Sequence, residues 1–496
     1  MGISTTLLLV GAALAAPITL AVISVWLALG LLLSLTDTTA AAISVLVTWS
    51  WYFKHADELF VQMPAVVSAW LALSLLVPKS GLLHLSVWVV LTEYVISRAH
   101  WLNIERKTAS GSEDSDTAAT AAYWFVALAC VLPAWTSVCR LKLWRPANDQ
   151  LLLDAEEQLY RKFLAPGSFD MTKVAGLGTV HVPYSGDTIP GQTPTTLVLV
   201  HGYLAGNGFW AANLAGLAKS FDVYAVEWMG IGRSVRQAFN PKNAEEADAF
   251  FVEPLEHWRQ ELKLDRIVLC GHSMGGLYST YYAKKYPDAV EHLVLLSPAG
   301  VNRSALEHHE LPLARRIAYH FYWTPMTLIR AMGPLGPRLV RWMVTNRLNR
   351  SPPSNAIRTG AISIDQFALY CYHNWALAAS GDIALHTHLH PGASARGIAV
   401  SDIIDPTTWS APVTFLYGGG DDWMDKEPGK AVVARLRATN NHYAALGLVP
   451  LSGHQVFMDN PVEFDRVLAQ SIKEFQAFQA AHKASTDALQ TAVASE

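Results

Sequence analysis

One run of apolar residues ending in glycine, LVLVHG (Leu197–Gly202), limits most tightly what this chain can fold into. A strand with one wet face alternates apolar and polar residues, whereas a strand buried on both faces is apolar throughout. TVHVPY (Thr179–Tyr184) alternates. After LVLVHG come DVYAVEW (Asp222–Trp228), RIVLCGH (Arg266–His272), HLVLLSP (His292–Pro298) and, much later, VTFLYG (Val413–Gly418). Segments with helical spacing lead into these strands or separate them: NDQLLLDAEEQLYRKFL, GFWAANLAGLAKSF, AEEADAFFVEPLEHWRQEL and MGGLYSTYYAKKY. This alternation predicts an α/β domain over 146–482, a mostly parallel sheet with helices on both faces. The stretch before the last of these strands is too long for a plain crossover, so about 299–410 reads as an inserted helical cap. A disordered tail is expected over 483–496.

The first 145 residues read differently. Charged residues are 16% of the 496-residue chain, against about 25% in a typical soluble domain. From Met1 to Phe53 the only charged residue is Asp37. Thr6–Leu35 is apolar apart from Pro17 and small residues, longer than the roughly 20 residues a bilayer core requires. No basic residue precedes it, so an uncleaved anchor is expected rather than a secretory signal. Ala40–Phe53, Met63–Val77, Leu82–Ile96 and Thr120–Val138 follow, with Trp49, Trp51, Trp70, Trp88 and Trp135 near their ends. An all-α region of three to five membrane segments over 1–145 is the expectation. A buried helical core in a soluble domain would require more charge facing water. Arg140, Lys142 and Arg145 after the last run favour a cytoplasmic or matrix-side C-terminal domain, while Arg98, Arg106 and Lys107 oppose this. The organelle stays open. Met1-Gly2-x-x-x-Thr6 matches an N-acylation pattern that a chain entering the bilayer at once has little use for.

The formal charge of −4, without a basic tail, gives no sign of nucleic-acid binding. Cys130, Cys139, Cys270 and Cys371 form no C-x-x-C pair, so neither a disulfide framework nor a zinc site is expected. HTHLHP places His386, His388 and His390 at alternate positions with no nearby acid or cysteine cluster. It reads as a plain loop, not a metal site.

LCGHSMGGL (Leu269–Leu277) sets a serine among small residues directly after a strand-like run. A serine hydroxyl is a poor nucleophile until a base takes its proton, and the base must itself be oriented. In a strand–elbow–helix site the order is serine, acid, histidine. Ser273 is followed by YGGGDDWMD (Tyr417–Asp425) and then by SGHQVFMDNP (Ser452–Pro461). Gly271 and Gly275 permit the tight turn that exposes the hydroxyl. The backbone N–H groups of Met274, opening the next helix, and of Tyr203, after LVLVHG, are the candidate oxyanion donors. His454 is the candidate base. Asp422 is the favoured acid, with adjacent Asp421 the alternative. His201 and His272 flank the site as supporting hydrogen-bond partners.

On LVLVHGYLAGNGFWAANLAGLA, VYAVEWMGIGRS, FVEPLEHWRQELKLDRIVLCGHSMGG, YYAKKYPDAVEHLVLLSPAG and SGHQVFMDNPVEF the chain resembles the α/β-hydrolase-fold serine lipases. The subfamily is the one containing N-acylphosphatidylethanolamine lipase, the lipid-droplet coactivator of triacylglycerol lipase and yeast cardiolipin deacylase. The resemblance covers roughly Asp149–Phe478 and implies Ser273 as nucleophile, His454 as base and Asp422 as acid, with no cofactor. The family's acid motif, Tyr-Gly-x-x-Asp-Trp-Met, has one residue fewer than this chain, which keeps Asp421 in view. The coactivator member has lost its serine, whereas Ser273 is present here. His454 and Asp459 also form the H-x-x-x-x-D spacing proposed in this family for acyl transfer. A helix-capping role for Asp459 is the preferred reading.

Between Arg303 and Gly360 lie nine arginines and no lysine, opposed only by Glu307 and Glu310. Arginine suits phosphate bidentately, and arginine with tryptophan on an amphipathic helix suits a membrane surface. Arg315, Arg316, Arg330, Arg338, Arg341 and Trp342 are therefore candidate substrate or membrane contacts. The expected function is a membrane-bound serine hydrolase of phospholipid or lysophospholipid acyl esters. The alternatives are a lysophosphatidic acid acyltransferase using the same site, and a non-catalytic membrane scaffold.

Overall fold

The computed structural model describes residues 147–494, except 188–192, 240, 242, 304–323, 391–392, 421 and 440–442. The membrane segments and acylation pattern expected in 1–145 lie outside the described residues, as do Arg315, Arg316 and Asp421. Among the described residues no helix is long and apolar enough to cross a membrane.

Leu152, Ala155, Glu156 and Leu159 recur at helical spacing and form the buried face of α1 (Asp149–Tyr160). The Asn148 side chain caps its first turn, accepting from the Leu151 N–H at 2.8 Å. The sheet has eight strands: β1 (Asp170–Val174), β2 (Leu177–Val182), β3 (Thr196–Val200), β4 (Asp222–Val226), β5 (Ile267–His272), β6 (Val290–Leu296), β7 (Val413–Gly418) and β8 (Ala444–Val449). Their spatial order is β1-β2-β4-β3-β5-β6-β7-β8. β2 runs antiparallel to β1 and β4, and every other pairing is parallel. β5 and β7 are buried at all six positions, as strands covered on both faces should be.

β1 and β8 were not anticipated. Both are edge strands with one side open, so DMTKV and AALGLV lack the continuous apolar signal. GFWAANLAGLAKSF also departs from expectation, giving a 3-10 turn at Asn207–Trp210 and a four-residue helix at Leu214–Leu217. A Cβ at Gly208 would come within 2.7 Å of the Tyr370 ring, so a cap side chain occupies the space beside this segment. Helices α2 (Ala244–Glu261) and α3 (Met274–Lys285) follow β4 and β5. The cap between β6 and β7 contains α4 (Pro325–Ala331), α5 (Gly336–Leu348) and α6 (Ile364–Ala376). After β7 come α7 (Glu427–Arg437), then β8 and α8 (Pro461–Ala494). α8 continues to Ala494, within the stretch from 483 expected to be a disordered tail.

Register sets where the loops emerge. Val200 lies beside Gly271, His272 beside Leu296, and Leu296 beside Leu416. The segments after β3, β5, β6 and β7 therefore leave from one C-terminal edge, where ligands bind in open parallel sheets.

On the other side of β2 a buried arginine ties the domain's first elements together. Arg233 donates to Glu156 on α1 (Nε–Oε2 2.8 Å) and to the carbonyls of Thr172 and Thr179 on β1 and β2. The Tyr160 hydroxyl donates to the other Glu156 oxygen at 2.8 Å. Both ion-pair side chains are almost fully buried. Replacing Arg233 by methionine strands the Glu156 charge, and we expect a loss of about 3–5 kcal/mol, read as a lower thermal unfolding midpoint. An unchanged midpoint would contradict this role.

Candidate active site

Strand β5 delivers Ser273 to the C-terminal edge, and α3 begins at the next residue. Ser273 has φ 53° and ψ −118°, a region a side-chain-bearing residue rarely adopts. Its N–H donates to Leu296 O at 2.9 Å, and its carbonyl accepts from Gly276 and Ala299 N–H groups at 2.9 and 3.0 Å. The glycines make this turn possible. A Cβ at Gly271 would stand 2.6 Å from Gly275 O, and one at Gly275 would stand 2.5 Å from His201 O. Real Cβ atoms do not approach so closely.

His454 lies in the loop after β8. Its Nε2 is 3.1 Å from the Ser273 Oγ, so the hydroxyl donates to the ring. That leaves Nδ1–H facing Asp422, whose Oδ1 is 3.6 Å away. This is an ion-pair approach longer than a hydrogen bond. The Asp422 side chain has no exposed surface. Its Oδ2 accepts from the Ser297 hydroxyl at 2.8 Å and its Oδ1 from the Met424 N–H at 3.0 Å. Burial opposes ionisation, but the imidazole and these two donors outweigh it, and the carboxyl lies below its usual range. Ser273, His454 and Asp422 are thus brought together.

The flanking histidines are neutral supports. His272 Nε2–H donates to the His454 carbonyl at 2.9 Å, and burial holds its pKa well below the ordinary value. His201 Nδ1–H donates to Gly202 O at 2.9 Å, and burial lowers its pKa to about 4. Gly202 abuts the serine, since a Cβ there would sit 2.9 Å from the Ser273 Cβ. Tyr203, a candidate oxyanion donor, directly follows Gly202, and Met274, the other candidate, directly follows Ser273 as the first residue of α3. Trp423, half exposed, lies with its ring centre 4.6 Å from that of His454.

Three expectations are corrected. Asp459 does not cap α8: the helix's first main-chain bond goes to Asn460 O, while the Asp459 carboxylate accepts from Gly453 N–H (3.0 Å) and Asn355 Nδ2 (2.9 Å). Arg330 is not a surface contact. It pairs with buried Asp382 at 2.9 Å and donates to Leu377 O, whereas Arg338, Arg341 and Trp342 on α5 are exposed. His388 is not in a plain loop. It is buried between Asp248 (Nε2–Oδ1 2.7 Å) and the Tyr278 hydroxyl (3.2 Å from Nδ1), fixing the end of the cap to α2 and α3. His390 is buried as well, and the His386 side chain lies outside the described residues.

Sequence reasoning also missed residues that shape the site. Ser297 supports Asp422 from the end of β6. On α6, Asn374 and Trp375 donate to Ala205 O (3.0 Å) and Leu204 O (3.1 Å), and the Tyr370 hydroxyl accepts from Gly208 N–H (3.1 Å). The cap thereby fixes the loop that carries Tyr203. No local motif announces such contacts, because each is a single side chain whose partner lies at least 125 positions away.

Residues 195–461 match the family model described as alpha/beta hydrolase fold. The chain belongs to the α/β-hydrolase family. It is 34% identical over 298 residues to 1-acylglycerol-3-phosphate O-acyltransferase of Arabidopsis thaliana, covering 58% of this chain and 68% of that one. To (lyso)-N-acylphosphatidylethanolamine lipase of Homo sapiens it is 30% identical over 281 residues, 56% of this chain and 78% of the relative. To 1-acylglycerol-3-phosphate O-acyltransferase ABHD5 of Homo sapiens it is 30% identical over 331 residues, 65% and 88% of the two chains.

This α/β-hydrolase-family domain keeps His201 neutral in the folded state down to about pH 4, whereas an unfolded histidine protonates near 6.5. Unfolding therefore takes up a proton as the pH falls below about 6.5. His201's contribution is fully present above that value and declines towards pH 4, by about 3 kcal/mol in all. The thermal midpoint of His201→Gln should fall less steeply with acid than that of the wild type. Parallel slopes would remove His201 from the account.

Proposed function

We propose that this α/β-hydrolase is a membrane-bound serine hydrolase of phospholipid or lysophospholipid acyl esters. Residues 1–145 anchor it, and the domain over 146–482 sits on the cytoplasmic or matrix side. The observation that carries the catalytic reading is the 3.1 Å contact between His454 Nε2 and Ser273 Oγ, with buried Asp422 behind the ring. The Ser273 oxygen attacks the ester carbonyl carbon as its proton passes to His454 Nε2. The carbonyl oxygen, now anionic, is held by the N–H groups of Met274 and Tyr203. His454 then donates the proton to the departing alcohol oxygen, which leaves an acyl-serine. Water, deprotonated by the same nitrogen, releases the fatty acid and restores the hydroxyl. Asp422 keeps Nδ1 protonated and stabilises the imidazolium that forms in each half-reaction.

Lipid as the substrate class draws support from relatives named as a lipase and as acyltransferases. Those acyltransferase names also favour a second reading, in which a lysophospholipid hydroxyl takes the place of water. Arg338 and Trp342 on α5 supply an exposed cationic and aromatic face suited to an anionic lipid surface, and Arg341 beside them is paired with Asp365 at 2.6 Å. Trp342 is 62% exposed.

Ser273→Ala should abolish fluorophosphonate labelling and cut ester hydrolysis by at least about 10³-fold. Undiminished labelling would end the catalytic assignment. Free fatty acid against acylated product, measured with labelled lysophosphatidic acid, separates hydrolase from transferase. A Trp342→Ala, Arg338→Glu variant should lose activity on anionic vesicles several-fold and keep its rate on a soluble short-chain ester. Equal losses on both substrates would contradict a membrane-facing α5.

A further inference from the structure

We propose that Asn355, a cap residue, is a positioning residue for His454 and acts through Asp459. The proposal rests on the reading of His454 as the catalytic base. Asn355 is buried, with its Oδ1 accepting from the Ile357 N–H at 2.9 Å. That contact turns its Nδ2 towards Asp459 Oδ1, 2.9 Å away. The other oxygen of the buried Asp459 carboxylate accepts at 3.0 Å from the N–H of Gly453, the residue before His454. One carboxylate thus joins a side chain of the cap to the main chain of the base.

The neighbouring contacts point the same way. Ser354 donates to Asp459 O at 2.7 Å and approaches Leu451 O at 3.3 Å, and the Ala356 N–H donates to Met458 O at 2.8 Å. The cap segment 354–356 is therefore bonded to the histidine loop on both sides of His454. On the sheet side His272 grips the His454 carbonyl. The ring itself has weaker guidance. Its Nδ1 lies 3.6 Å from Asp422, beyond hydrogen-bond length, so its aim at Ser273 depends on how firmly the main chain at 453–454 is held. Asp459 is occupied in this task. Each of its oxygens accepts from one N–H donor, one on the cap and one on the histidine loop.

The test uses the full chain in detergent and a fluorophosphonate probe, with the labelling rate read separately from the final labelled fraction. Asn355→Ala should slow Ser273 labelling by about 10- to 100-fold. The labelled fraction, and KM for both short- and long-chain esters, should stay as in the wild type. Asn355→Asp should be slower still, because it sets a carboxylate against Asp459. Combining Asn355→Asp with Asp459→Asn keeps both hydrogen bonds, since an amide at 459 can donate to the new carboxylate and accept from Gly453. That pair should recover most of the rate.

Wild-type labelling rates in Asn355→Ala overturn the proposal, as does the absence of recovery in the combined variant. So does a loss seen only as a smaller labelled fraction, which is a folding effect, or only as a raised KM for long chains, which is a substrate contact. A wild-type chain whose probe sits elsewhere than on Ser273 overturns the catalytic reading itself, and that result is distinct from the others.

Discussion

The rest of the site is organised around a backbone conformation that serine does not adopt readily. At φ 53° the turn at Ser273 costs on the order of 1–3 kcal/mol locally. It persists because the surroundings over-determine it. The N–H is taken by β6, the carbonyl is taken by α3 and the segment after β6, and glycines stand where side chains would collide. The conformation places the Ser273 hydroxyl at the end of β5, 3.1 Å from His454 Nε2. His454, the loop after β3 and the supported Asp422 all converge on that one point.

The cap is more than a lid laid over the sheet. α6 holds the loop that carries Tyr203, segment 354–356 holds the loop that carries His454, and His388 fixes the cap's far end to α2 and α3. Both loops flanking the serine are thus bonded to the cap. The exposed face of α5 belongs to the same insertion. Its cationic and aromatic character sits on the structure that also steadies the site.

The sequence revealed features whose signal is local and repeated. Continuous apolar runs marked the inner strands, the glycine pattern marked the elbow at Ser273, and a glycine-flanked histidine in serine–acid–histidine order marked His454. Edge strands β1 and β8 escaped because only one face of each is covered. The arginine-rich cap looked like a uniform contact surface, but Arg330 has a partner in Asp382, 52 positions away, which composition cannot show. Asp459 drew attention through its spacing from His454, yet its role is set by Asn355, a residue with no motif around it. Ser297 and Asn374 were invisible for the same reason. Long-range pairing of single polar side chains leaves no periodic trace in the chain.

The central claim is that Ser273, His454 and two backbone amides share one reaction centre. An experimental structure of the phosphonylated protein tests it most directly. The account predicts phosphorus bonded to the Ser273 Oγ, with the phosphonyl oxygen about 2.7–3.1 Å from the main-chain nitrogens of Met274 and Tyr203. His454 Nε2 should remain within hydrogen-bond reach of the adduct. Phosphorus on another residue, or a phosphonyl oxygen turned away from both amides, would contradict it.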